Sequence, residues 1–166
     1  MDEGIVEMLE YNQWATRTLI AACGGLPDEA LDARPAVVSG SPRELFVHVV
    51  GGQQTFALRC RGRQHEGELN RASRWPGWEH LARLADESST DLIEIARSSE
   101  PAAVVDLPWQ GKAYRYPVRF FLAHALSHGV EHRTEIKLVL AQQGIATPDL
   151  DAWEYAAFRG YGAEAS

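Results

Sequence analysis

Apolar residues recur with helical spacing in four stretches of this chain. Over residues 2–24 they fall at Ile5, Met8, Leu9, Ala15, Leu19, Ile20 and Cys23, a recurrence every three or four positions that gathers them on one side of a helix. Gly24, Gly25 and Pro27 then stop it, glycine by tolerating a left-handed cap and proline by being unable to continue the turn. A second helix opens at Ser41-Pro42-Arg43-Glu44, a capping box with proline at its first position. It runs to about Arg61, where Gly62 ends it, with Leu45, His48, Val49, Gly52 and Phe56 as the buried stripe. A third helix fits 77–98 with Leu81, Leu84, Ala85, Leu92 and Ile95 inward, and a fourth fits 117–143, opened by Pro117 and closed by Gly144.

Between the last two the period changes. The segment VVDLPWQGKAYRY places β-branched and aromatic residues on either side of Gln110-Gly111, which predicts a small hairpin or an extended crossover over 101–117. Asp149 or Asp151 caps a short last helix through AWEYAAF. No repeat, low-complexity tract or change of composition marks a boundary. The expected fold is all-α, a four-helix bundle formed by residues 1–166 as one domain, with a long crossover before the last long helix and a short C-terminal helix.

The fourth stretch also carries chemistry. His124, His128 and His132 stand four residues apart in FFLAHALSHGVEHRTEIKLVL, so all three share one helix face. Two imidazoles at this spacing can reach one divalent ion from a single helix. Three cannot, because His124 and His132 lie about 12 Å apart along the axis, whereas a zinc–nitrogen bond is about 2.0–2.1 Å. An ion takes an adjacent pair, His128 belongs to either choice, and a further ligand must come from another segment. His48 is the histidine on an inward stripe elsewhere, whereas His65 follows the Gly62 break in a polar loop and His80 sits beside Glu79 and Arg83, both facing solvent. The preferred triad is therefore His48, His128 and His132. Three neutral imidazoles with an open position suit a catalytic site rather than a closed structural one. Imidazole ligands allow zinc, nickel, copper or iron, with zinc or nickel the expected ion.

Near this set, His124 lines the site or supports a ligand. Glu135 shares the face of His128 and His132, where it can orient a ligand imidazole, act as a base, or meet a cation on a neighbouring helix. His124 and Glu135 are the candidate catalytic groups. Asn12 and Thr16 on the first helix either line the pocket or satisfy buried polar groups. Trp14, with Tyr11 and Thr18, forms a second packing surface for the C-terminal segment or another subunit.

Composition narrows the partners. The 166 residues are 45% hydrophobic and 23% charged with a formal net charge of −7, which disfavours nucleic acid and anionic membrane as main partners. Arg59, Arg61, Arg63, Arg71 and Arg74 form only a local patch, expected to be solvated surface. Cys23 and Cys60 have no CxxC partner and read as reduced helix residues. The acidic start MDEGIVEMLE is unlike a secretory signal, and no apolar run approaches the ~20 residues that span a bilayer. The expected location is cytoplasmic.

Three motifs carry a likeness. Tyr11-Asn12-Gln13-Trp14-Ala15-Thr16-Arg17, Ser41-Pro42-Arg43-Glu44-Leu45-Phe46-Val47-His48 and His124-Ala125-Leu126-Ser127-His128-Gly129-Val130-Glu131-His132-Arg133 resemble, in that order, the Y-x-x-W-A-N-x, S-x-x-E-L-x-x-H and H-V-V-N-H-x-x-H-H-R-G-Q patterns of the DinB/YfiT-like family of bacterial metal-binding four-helix bundles. The resemblance implies His48, His128 and His132 as metal ligands. It implies, too, a thiol S-transferase using a low-molecular-weight thiol such as bacillithiol or mycothiol, a related isomerase, or a hydrolase, and a two-fold dimer. The chain departs from the pattern at Ser127, Glu131 and Thr134-Glu135, none of which belongs to the triad. The functional expectation is a metal-dependent thiol S-transferase acting on a small electrophile. The alternatives are metal-assisted hydrolysis, made weaker by the absence of HExxH, and a non-catalytic, stress-linked metal-binding module.

Overall fold

The computed structural model describes residues 3–64 and 67–162; His65 lies outside them. Four long helices form: α1 (Glu3–Cys23), α3 (Pro42–Cys60), α4 (Trp78–Ser98) and α5 (Val118–Gln142), with short helices α2 (Asp28–Leu31) and α6 (Ala152–Arg159) and one hairpin, β1 (Val104–Trp109) and β2 (Lys112–Pro117). The capping box is present, Ser41 accepting from the Glu44 N–H while the Glu44 carboxylate accepts from the Ser41 N–H. Asp151 is the cap of α6, accepting from the N–H groups of Trp153 and Glu154.

Three details depart from the pattern reading. Pro117 ends β2 and caps α5 rather than lying in its first turn, because its extended backbone (ψ 137°) still belongs to the ladder. Met8 is exposed at 54%; the stripe of α1 turns Leu9, Asn12, Ala15 and Thr16 inward instead. The helix α2 is a single turn held by backbone bonds from Ala30 and Leu31 to Pro27, too short to show a period.

The long helices form a ring in which α1 packs on α4, α4 on α3, α3 on α5 and α5 on α1. Phe46 meets Trp78 at 5.5 Å between ring centroids and Ser88 bonds Gln53, so α3 and α4 run in the same direction. The 61–77 connection must therefore return along the bundle. The hairpin then carries the chain from α4 to α5 across the ring. Its register pairs Val104 with Pro117 and Trp109 with Lys112, leaving Gln110 and Gly111 as a two-residue turn. Their φ values of 48° and 74° are those of the left-handed turn that matches strand twist.

Two apolar clusters fill the bundle. One gathers Leu19, Ile20, Leu45, Phe46, Leu81, Leu84, Ile136 and Leu140, the other Leu9, Ala57, Leu92, Ile95, Phe121, Leu122 and Ala125. Between them lies a polar layer of buried side chains: Asn12 and Thr16 from α1, Gln53 from α3, Ser88 and Ser89 from α4, and His132 and Arg133 from α5. No helix among the described residues is long and apolar enough to cross a membrane.

Candidate metal centre

The polar layer brings His48, His128 and His132 together. Helix α3 supplies one ring and α5 the other two, with ring centroids 4.6 Å apart for His48–His128, 4.6 Å for His48–His132 and 4.5 Å for His128–His132. One ring nitrogen of each lies within 4.8 Å of the others. The close approach of the helices depends on Gly52, where an added Cβ would stand 2.6 Å from His128 Cε1. The bare backbone is thus the floor on which the His128 ring rests.

Hydrogen bonds define which nitrogens are free. His132 donates from Nδ1 to Glu135 Oε2 at 2.6 Å, which in the neutral ring leaves the lone pair on Nε2. That carboxylate is itself fixed by Ser39, whose hydroxyl donates to Oε2 at 3.0 Å and whose N–H donates to Oε1 at 3.2 Å. Arg71 Nη2 donates to His48 Nε2 at 3.0 Å, so that nitrogen also bears a lone pair. His48 Nε2 faces His128 Nε2 at 3.1 Å, close to the ~3.3 Å edge of a tetrahedron drawn with 2.0–2.1 Å metal–nitrogen bonds. His128 Nδ1 is buried with no partner among the described residues. A donor set of converging imidazole lone pairs, with one ring held by a carboxylate, fits a divalent ion.

The electrostatics agree with neutral rings at His48 and His128. Burial, then the Arg71 guanidinium and His132, push His48 down to about 4 against the pull of Glu135. Burial followed by the neighbouring histidines and Arg71 pushes His128 down to about 3. Burial would raise Glu135, but the bonds from His132 and Ser39 outweigh it and hold its carboxyl below the ordinary value.

A cavity of about 600 Å³ opens against the triad, lined also by Phe56, Arg71, His124, Glu131 and Glu135. A larger one of about 820 Å³ lies among α1, α4 and α6, but its Glu10 is ion-paired to Arg97 and Arg159, and no imidazole lines it.

The DinB family model matches residues 1–162. The chain belongs to the DinB family. Its fold is similar to a crystal structure of a DinB-like protein from Bacillus cereus ATCC 10987, at 20% identity over 89% of this chain and 96% of that one, with a TM-score of 0.66. It is also similar to the DinB-like protein YjoA from Bacillus subtilis, at 18% identity over 89% and 98% of the two chains, with a TM-score of 0.61. No curated protein matches the sequence.

The other expected groups sort themselves in this DinB-family structure. His124 is exposed and lines the cavity, its ring 4.4 Å from Phe56 and 6.0 Å from His128 between centroids. His80 faces outward, its Nε2 2.6 Å from Glu68 Oε1 in a hydrogen bond. Asn12 and Thr16 do not line the cavity; they hold Arg133, whose Nη1 donates to Asn12 Oδ1 at 2.6 Å and to Thr16 Oγ1 at 3.0 Å. Burial brings the Arg133 guanidinium down to about 10, against a bond to Tyr11. Trp14 and Tyr11 pack on Tyr155 of α6, each with ring centroids 5.5 Å away. Arg71 departs from the expectation of plain solvated surface, since it reaches His48.

Proposed function

We propose that this chain binds one divalent metal ion through His48, His128 and His132, with zinc or nickel the expected ion, and uses it to activate a low-molecular-weight thiol against a small electrophile. The observation that carries the reading is the set of three imidazoles on a cavity wall, at mutual centroid separations of 4.5–4.6 Å. An ion there would act as a Lewis acid favouring the deprotonated form of the incoming thiol.

The chain's own residues favour a nucleophile that ionises easily. Glu135 is occupied by His132 and Ser39, so it orients a ring instead of taking a substrate proton. His124 stands one turn from His128 with its ring on the cavity wall, and in this reading it accepts the thiol proton and passes it to solvent. The thiolate sulfur then forms a bond to the electrophilic carbon, and the leaving group departs with its electron pair. Cys23 and Cys60 are buried and free, with burial pushing their thiols up to about 11 and about 12. Neither is a nucleophile at neutral pH, so the thiol must enter with the substrates. A two-fold dimer is part of the proposal, and exposed Met8, Val130, Leu138, Trp153 and Phe158 offer apolar surface to a second copy.

The test incubates zinc- or nickel-loaded protein with a panel of low-molecular-weight thiols and chlorodinitrobenzene. Conjugation that needs the metal and disappears in His128→Ala is the expected result. Cleavage of esters or amides without added thiol would replace the reading with hydrolysis, and failure of the chain to take up metal would remove it.

A further inference from the structure

Two features of the cavity are not needed to hold an ion. The first is Arg71. It lies on the 61–77 connection just after Leu69, which is buried at 5% exposure and donates its N–H to Gln54 Oε1 of α3 at 3.0 Å. Turns at Asn70 then fix the chain, with the Ala72 N–H on Asn70 Oδ1 and the Asn70 N–H on Ser73 Oγ, both at 2.9 Å. This anchored loop sets the guanidinium 3.0 Å from His48 Nε2. Among the described residues eight other arginines carry ion pairs, yet no carboxylate pairs with Arg71. A guanidinium and a divalent ion compete for one lone pair, so loading the triad displaces Arg71 from His48. The side chain then remains tethered beside a second positive charge, an arrangement that an intervening anion stabilises.

The second feature is an aromatic recess. Past Phe56 and His124 the cavity continues into about 300 Å³ lined by Leu107, Pro108, Tyr116, Phe120 and Phe121, together with the polar side chains Arg59 and Gln64. Thr55, Phe56 and His124 belong to the walls of both parts. His128 and Phe121 are seven residues apart on α5, about 10 Å along the axis. Phe120 is 47% exposed with its ring 5.8 Å from that of Tyr116, so the hairpin and α5 form the apolar side of a slot open to the site.

We infer that the electrophile taken at this site is a small carboxylate with an aromatic or alkyl body, its carboxylate read by Arg71 and its body seated in the recess between the hairpin and α5. The inference rests on the metal reading above. One guanidinium beside the triad, with Glu131 and Glu135 on the same walls and Arg59 out on the recess, suits a single negative charge at Arg71 better than the two of a phosphate group.

Calorimetry on the full chain tests it in two steps. Zinc is titrated first; absence of uptake would overturn the metal reading and this inference together. With zinc bound, 4-phenylbutyrate is compared with 4-phenylbutyramide, butyrate and phenyl phosphate. The acid should bind about tenfold tighter than the amide and than butyrate, a factor ordinary for a charge-assisted hydrogen bond or a buried ring. Arg71→Gln should abolish the preference for acid over amide and keep that for the ring; Phe120→Ala should do the reverse. Equal binding of acid and amide, tighter binding of phenyl phosphate, or an acid preference that survives Arg71→Gln would overturn this inference while leaving the metal reading standing.

Discussion

Replacing Glu135 by alanine probes the triad without touching a proposed ligand. The carboxylate accepts the Nδ1 proton of His132 at 2.6 Å and is itself held by two bonds from Ser39 at 3.0 and 3.2 Å. It therefore keeps the proton on Nδ1, leaves the lone pair on Nε2, and fixes the ring about its χ2 torsion. Without it the ring samples both tautomers and a wider range of orientations, and the nitrogen loses the basicity that a neighbouring negative charge confers. Removing such a support typically weakens metal binding about 10- to 100-fold, or about 1.4–2.7 kcal/mol. Because Ser39 already holds the carboxylate in place, little ordering is lost when the ring engages it, and the upper part of that range is expected. Glu135→Gln should cost less, since an amide oxygen still accepts from Nδ1. Competition for zinc against a chromophoric chelator at neutral pH measures both, with circular dichroism confirming the helices. Zinc affinity in Glu135→Ala within about twofold of the parent would refute the reasoning, because twofold is below the whole range for an orienting partner.

Other perturbations test neighbouring links. Gly52→Ala should fold but lose zinc affinity by more than about tenfold, a loss beyond the lower bound for displacing a supporting group, because its Cβ would sit 2.6 Å from His128 Cε1; unchanged affinity would show that α3 and α5 separate freely. Metal-free protein should lose stability as pH falls from about 6.5 towards 4. Unfolded histidine takes up a proton near the ordinary 6.5 while folded His48 and His128 resist until about 4 and about 3, so the unfolded chain binds more protons throughout that window. A urea midpoint that falls over that range, and falls less in His128→Gln, is the expected measurement; a flat midpoint would contradict it. Asn12→Ala should destabilise by about 1–3 kcal/mol in urea unfolding, since it removes the shorter of the two bonds by which α1 holds the buried Arg133 guanidinium, and a loss under about 0.5 kcal/mol, typical of an ordinary surface change, would show that Arg133 finds another partner.

What could be read from the chain was whatever local geometry encodes. Helix spacing alone put His128 and His132 on one face, and the Ser41 capping box placed His48 two turns into α3. The turn at Gln110-Gly111 followed from composition, and the structure makes it a two-residue hairpin. Arg71 was hidden for the opposite reason. It belongs to a connection with no period, and its position is decided by Leu69 docking on α3, a tertiary event with no local signature. Ser39 reaches Glu135 across 96 positions of chain, again by folding. Arg133 was visible as part of a motif, but its burial is not what a charged residue beside a histidine would suggest. Its partners Asn12 and Thr16 could have signalled it, as two polar residues on the inner stripe of α1 need a polar counterpart.

Arg133 shares its location with the triad. Arg133 with Asn12 and Thr16, Gln53 with Ser88, and the three imidazoles all lie in the layer that separates the two apolar clusters. A bundle built only for stability would fill that layer with apolar side chains, since a buried guanidinium held by neutral oxygens and an imidazole with an unpartnered nitrogen both cost free energy. Sequence rules of apolar periodicity fail there because the layer answers to a different requirement, as expected at functional positions. The division of labour within it is physical. Arg133 ties α5 to α1 from the far side of the helix, Glu135 and Ser39 fix one ring at the near side, and Gly52 lets α3 come close enough for His48 to complete the set. The α5 backbone is thus held at the height of His132 from both flanks. Changes at Asn12 should therefore reach the zinc site through the position of α5, which Asn12→Ala measured for zinc affinity as well as for stability would reveal as two linked losses.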